Sequence, residues 1–167
     1  MVTRRAFAQL VCGAALVVTL PATAQSTRYD IDKKDTPRPV LSVLNKYVKT
    51  LRSSKDLDDC AKAFVSIAGG SLVNEDGKSL RGTVQRFGLK KDYENIKFYA
   101  DPIQITRIAK LPATTSGFGP SAIRGPRYKI WIAKKDGAGG MPAPVTILVP
   151  EGHATIKSPK VVNVGSY

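Results

Sequence analysis

Histidine, cysteine and tryptophan are nearly absent from this chain. Its 167 residues hold one His, two Cys and one Trp, and only 13 acidic side chains stand against 26 basic ones. A zinc or iron site needs several His, Cys or carboxylate ligands converging on one point, so no metal and no cofactor is expected. A serine nucleophile in the G-x-S-x-G setting is missing. Ser121, in Gly119-Pro-Ser-Ala, has only the distant His153 as a conceivable base. His153 itself follows Pro150-Glu151-Gly152 and reads as a surface turn. Gly137-Ala-Gly-Gly140 precedes no helix and lacks a Lys-Ser/Thr partner, so it reads as a hairpin turn and not as a phosphate cradle.

A membrane-spanning apolar run is missing too, although the start of the chain comes closest. Arg4 and Arg5 precede a small, apolar stretch from Ala6 to Leu20, and Pro21-Ala-Thr-Ala24 offers a small-residue cleavage site. This is the plan of a secretory signal peptide over residues 1–24, with Gln25 as the new N-terminus. The other reading is an uncleaved N-terminal anchor. Thr3-Arg4-Arg5-Ala6-Phe7 is similar to a twin-arginine export signal, although Ala8 and Gln9 depart from it. Cys12 sits in a poor context for a lipoprotein. The expected location is periplasmic or secreted.

Loss of the leader removes 24 of the 167 residues and leaves 143, enough for one domain with one core. It also removes Cys12, so Cys60 is alone and no intrachain disulfide can form. Cys60 lies on an apolar helical stripe, which points to a buried, inert thiol. The leader takes two of the 26 bases and none of the 13 acids, so the remainder carries a formal charge of +11. Such a charge attracts anions. The bases are scattered in doublets, and no nucleic-acid partner is expected.

Residues 25–39 are polar and hold two prolines, a flexible lead-in. From Pro39 the apolar residues Val40, Val43, Leu44, Tyr47, Val48 and Leu51 recur at three and four, one face of an amphipathic helix. Ser53-Ser54 ends it. Leu57, Cys60, Ala61, Phe64, Ile67 and Ala68 mark a second helix, closed by Gly69-Gly70. Leu80, Val84 and Phe87 mark a short third one. The period then changes to two. Ile96, Phe98 and Ala100, and then Ile103 and Ile105, read as strand. Residues 112–126 are rich in Gly, Ser, Thr and Pro and read as a long loop. Tyr128, Ile130 and Ile132 alternate with Lys129 and Trp131, Val145 to Val149 follow, and a last strand holds Val161 to Val164.

Helices first and strands last is an α+β plan, with N-terminal helices packed on a curved antiparallel sheet over a single domain, residues 40–167. This order, with the helix ending near Phe64 to Gly70 and the long strands after it, resembles the nuclear transport factor 2-like superfamily, which includes ketosteroid isomerase and polyketide cyclase-like families. A cystatin-like roll is the competing arrangement. The resemblance implies a cone-like fold with an apolar pocket between sheet and helices. Phe64, Tyr128, Ile130 and Ile132 would then line the pocket. A general acid/base site needs a carboxyl group in an apolar pocket, and Asp92, Tyr93 and Asp101, beside or within the first strand region, are the catalytic candidates. In the resembling isomerases an Asp and a Tyr inside the cone do the chemistry, but no position here aligns with them.

The outer sheet face offers a second site. Trp131 beside Lys129, Arg127, Arg124 and Lys134 is a basic, aromatic patch suited to a partner or a glycan. Three functions follow. The first is an exported, non-enzymatic binding protein, with a small apolar or anionic ligand in the pocket or a partner on the outer face, including a second copy through the sheet. The second is a small-molecule isomerase, dehydratase or cyclase. The third is an envelope protein binding an anionic polymer through the basic patch.

Overall fold

The computed structural model describes residues 29–167 of the chain; the expected signal peptide lies outside the described residues. Among them the first long element is α1, Arg38–Ser53, with a proline in its first turn. Pro is at home there because the first N–H groups of a helix have no partner. All six residues of its apolar stripe, Val40, Val43, Leu44, Tyr47, Val48 and Leu51, are buried. Full burial of such side chains stabilises by roughly 1.5–3 kcal/mol each relative to exposure. α2 spans Leu57–Val65, and its N-cap is Asp56, whose carboxylate accepts from Asp59 N at 2.8 Å. It buries Cys60, Ala61 and Phe64 against α1. The Cys60 thiol is pushed up to about 11, chiefly by burial, which suits an inert core residue.

The strands form one five-stranded antiparallel sheet in chain order: β1 Tyr29–Asp30, β2 Ile105–Ser116, β3 Ile123–Ile132, β4 Pro144–Leu148 and β5 Lys160–Asn163. Cross-strand neighbours share a face. The row Ile108–Ile130–Val145 and the row Tyr128–Ile147–Val161 face the helices and join their apolar stripes in one core. The α+β plan with helices on one side of an antiparallel sheet is therefore the observed architecture. Arg52, near the end of α1, ties it to the sheet's entry. Its guanidinium donates to Ala100 O and Asp101 Oδ1, each at 2.7 Å.

On the opposite face Ile123, Leu148 and Val162 form a second, small cluster with Ile156 against it. The segment 150–159 thus folds back over that face. His153 pins it: Nε2 donates to Pro120 O at 3.1 Å, while Nδ1 accepts from Ile156 N at 2.9 Å. A carbonyl can only accept, so the proton sits on Nε2.

Several expectations are corrected. Residues 29–36 of the lead-in are tied down: β1 pairs with Ala109 and Lys110, and buried Thr36 donates to Asp32 O at 3.1 Å. The third helix widens into a π stretch, Val84–Leu89, and continues as α3, Lys90–Asn95. Widening resets the phase of the stripe, so Leu89 is buried and Phe87 is 71% exposed. Residues 96–98 form a 3₁₀ turn instead of a strand, which sends Ile96 and Tyr99 inward and leaves Phe98 out. The supposed loop 112–126 is mostly the β2–β3 hairpin, in register at Ser116 and Ile123. Pro112 falls where the register shifts between Leu111 and Thr114, a place where a missing N–H costs little.

Candidate ligand cleft

The space between sheet and helices is filled. Phe64, Ile130 and Ile132 have no exposed surface and Tyr128 has 5%, all within the main core. The apolar lining expected of these four is core packing, and they line none of the clefts described here.

Of the catalytic candidates, only Asp92 is buried, at 2% exposure. Asp101 is exposed and ion-paired to Arg52. Tyr93 is half-buried and donates to Ser54 O at 3.2 Å. Asp92 meets three donors. Tyr47 Oη at 2.6 Å and Gly165 N at 2.8 Å reach Oδ2, and Tyr167 N at 2.8 Å reaches Oδ1. Burial pushes its carboxyl above the usual range, and these three hydrogen bonds oppose that shift. Burial first, and then the Asp92 charge, hold the Tyr47 hydroxyl well above its ordinary value. A general base must reach the proton it takes. Here both oxygens are engaged and nearly out of contact with solvent, so the pair fastens the last residues of the described chain to α1 and α3.

Ser121 is likewise structural. It is buried, and its Oγ donates to Asn74 O at 3.0 Å. His153 reaches the neighbouring Pro120 carbonyl.

The outer-face candidates do not form one patch. Arg127, Lys129 and Trp131 share a side by alternation, and the Trp131 ring lies 5.6 Å from the Lys129 ammonium and 5.0 Å from the Arg107 guanidinium. Arg107 is itself paired with Asp30 at 2.9 Å. Arg124 falls on the alternate side of β3. Lys134 lies past the end of β3, its ammonium 5.7 Å from the Tyr99 ring centre.

Lys134 belongs to a different site. A cleft of about 730 Å³ lies at the end of the sheet where β3 leads into β4, lined by Lys91, Phe98, Tyr99, Lys134, Lys135, the 136–141 loop, Ser166 and Tyr167. That volume is in the range of small-molecule sites. Its inner wall is aromatic. The Tyr99 and Tyr167 rings lie 4.6 Å apart, Tyr167 is 6.1 Å from Tyr47, and Tyr47 is 5.1 Å from Phe64, so ring contacts run from the core to the cleft.

The polar ends of that wall are unusual. Tyr99 is 1% exposed and Tyr167 is 5% exposed, and neither hydroxyl has a hydrogen-bond partner. The Tyr99 hydroxyl lies near the Ala143 backbone without reaching hydrogen-bond geometry. Burial raises both hydroxyls above their ordinary range, Tyr167 the further. An unmade buried hydrogen bond costs about 1–3 kcal/mol, so two in neighbouring rings mark a place that is not fully satisfied by its own fold.

Of these residues the sequence offered only Lys134 as a binding candidate, for the outer-face site. The others come from four separated segments, and no local pattern joins them.

No family model, curated protein or solved structure matches this chain.

Proposed function

We propose that the protein is an exported, non-enzymatic binding protein that takes a small ligand in the cleft between Tyr99, Tyr167 and the 136–141 loop. The observation that carries this reading is an open cleft of about 730 Å³ that leaves two large apolar side chains, Phe98 and Met141, exposed at 45% and 87%. A ligand body in the cleft would cover these two side chains. The filled interior argues against a ligand in the cone that the superfamily resemblance implies. The engaged oxygens of Asp92 argue against an isomerase built on that carboxylate. Export rests on the Arg4-Arg5 start, the apolar stretch and the Ala22-Thr-Ala24 site.

Screening a fragment library by amide shift perturbation tests the reading. Fragments that bind should move the amides of Phe98, Tyr99, Lys135, Gly139 and Tyr167 together. Hits that cluster elsewhere, or a library with no hits, would remove the cleft as the binding site.

A further inference from the structure

The charge of the cleft is one-sided. Among the side chains that line it, Lys91, Lys134 and Lys135 stand against one carboxylate, Asp136. None of the three lysines forms an ion pair among the described residues. The fold aims two of them. Lys91 Nζ donates to Gly165 O at 3.0 Å, and Lys134 Nζ donates to Gly139 O at 2.6 Å. An ammonium carries three N–H donors, so each keeps two for something else. Both anchors are backbone carbonyls, which place the ammonium groups without neutralising them.

Two large apolar side chains stand open beside these groups. Phe98 is 45% exposed and Met141 is 87% exposed. Large apolar side chains left this open next to a recess are more informative than scattered ones. Met141 is unbranched and fits bodies of varied shape. The loop that carries it, 136–141, holds Gly137, Gly139 and Gly140 and can adjust to what lies beneath it.

We propose that the cleft binds an amphiphilic organic anion. Its carboxylate, phosphate or sulfonate head sits among Lys91, Lys134 and Lys135, and its aryl or acyl body lies on Phe98 and Met141. This rests on the cleft being the ligand site. A neutral apolar ligand would leave three ammonium groups uncompensated beside it. A free inorganic anion would leave Phe98 and Met141 in water. The overall basic charge would draw an anion toward the protein.

Two fluorescent probes of similar shape test the class in the full chain: anilinonaphthalene sulfonate and its uncharged relative N-phenylnaphthylamine. At low salt the sulfonate should bind about tenfold more tightly, a difference of about 1.4 kcal/mol. The double variant Lys91→Gln/Lys135→Gln should lose about tenfold for the sulfonate and little for the neutral probe. Lys135→Gln alone, at an exposed side chain, keeps the test valid if the double variant folds poorly. Equal affinity for both probes, with shifts still mapping to the cleft, would overturn the anionic class and leave the binding site standing. No binding of either probe at the cleft would overturn both. Vesicles of phosphatidylglycerol separate the two sources of such a head group. Any sedimentation with them, which the basic charge favours at low salt, should be the same for the native chain and Lys135→Gln; sedimentation that depends on these lysines would assign a bilayer surface in place of a single anion.

Discussion

Asp92 joins three distant parts of the chain through one carboxylate: Tyr47 on α1, its own helix α3, and the backbone at Gly165 and Tyr167. Removing it in Asp92→Ala strands a tyrosine hydroxyl and two amides, which should cost about 3 kcal/mol. Its titration has a definite sign. Burial raises the folded value above the ordinary carboxylate range, so the folded state holds the proton more tightly than the unfolded one. The stabilisation linked to Asp92 is then complete below the ordinary value of about 3.9 and is lost as pH rises through the raised one. Urea unfolding of the native chain and of Asp92→Asn across the acid range checks this. The native chain's advantage should be largest at the acid end and shrink upward; an advantage that grows with pH would mean the three donors outweigh burial.

Among the elements, the crossing of β3 by the segment after β4 is the tightest. Gly125 stands where an added Cβ would lie 1.8 Å from Val149 O and 2.9 Å from its carbonyl carbon. Those are backbone atoms, fixed by Val149 N donating to Pro126 O and Glu151 N to Arg124 O. Gly125→Ala must therefore push two backbones apart. A loss of about 3 kcal/mol, the upper end of overpacking costs, is expected, with earlier proteolysis within 150–159 as the local sign. Unchanged stability would mean that this crossing yields easily.

The same elements show what the sequence could reveal. The α1 stripe and the Tyr128–Ile130–Ile132 face were legible because their periods are set within a few residues by one core. Residues 112–126 were not, because their Gly, Pro, Ser and Thr suggest a loop while a partner strand decides the outcome. Pro112 is tolerated at the bulge and Gly125 is required at the crossing, and neither fact is local. The site was less legible still. Asp92 stood out as a candidate carboxyl, but its donors at Gly165 and Tyr167 lie more than 70 positions away. The cleft needs α3, the turn at Phe98, the 136–141 loop and Tyr167 at once.

For the whole molecule, one apolar cluster holds residues from α1, α2, α3's flanks and strands β2 to β5, together with Tyr167. A single core of this kind should unfold as one unit. Far-ultraviolet dichroism and tyrosine fluorescence should give coincident denaturation curves. Separate midpoints would show the Tyr99–Tyr167 end melting as its own unit.

The rim of the sheet decides how copies could meet. Along β5, Gly69 N donates to Val161 O and Val161 N to Ile67 O, so main-chain groups on that side are already taken by the chain itself. On the other side β1 covers Ala109 and Lys110, and Ile31 N caps Ile108 O. A sheet grows into fibrils by recruiting strands at bare rims; here the β5 rim is engaged at Val161, while β1 pairs with two residues of the twelve-residue β2. Cross-β templating should therefore find little purchase along β5.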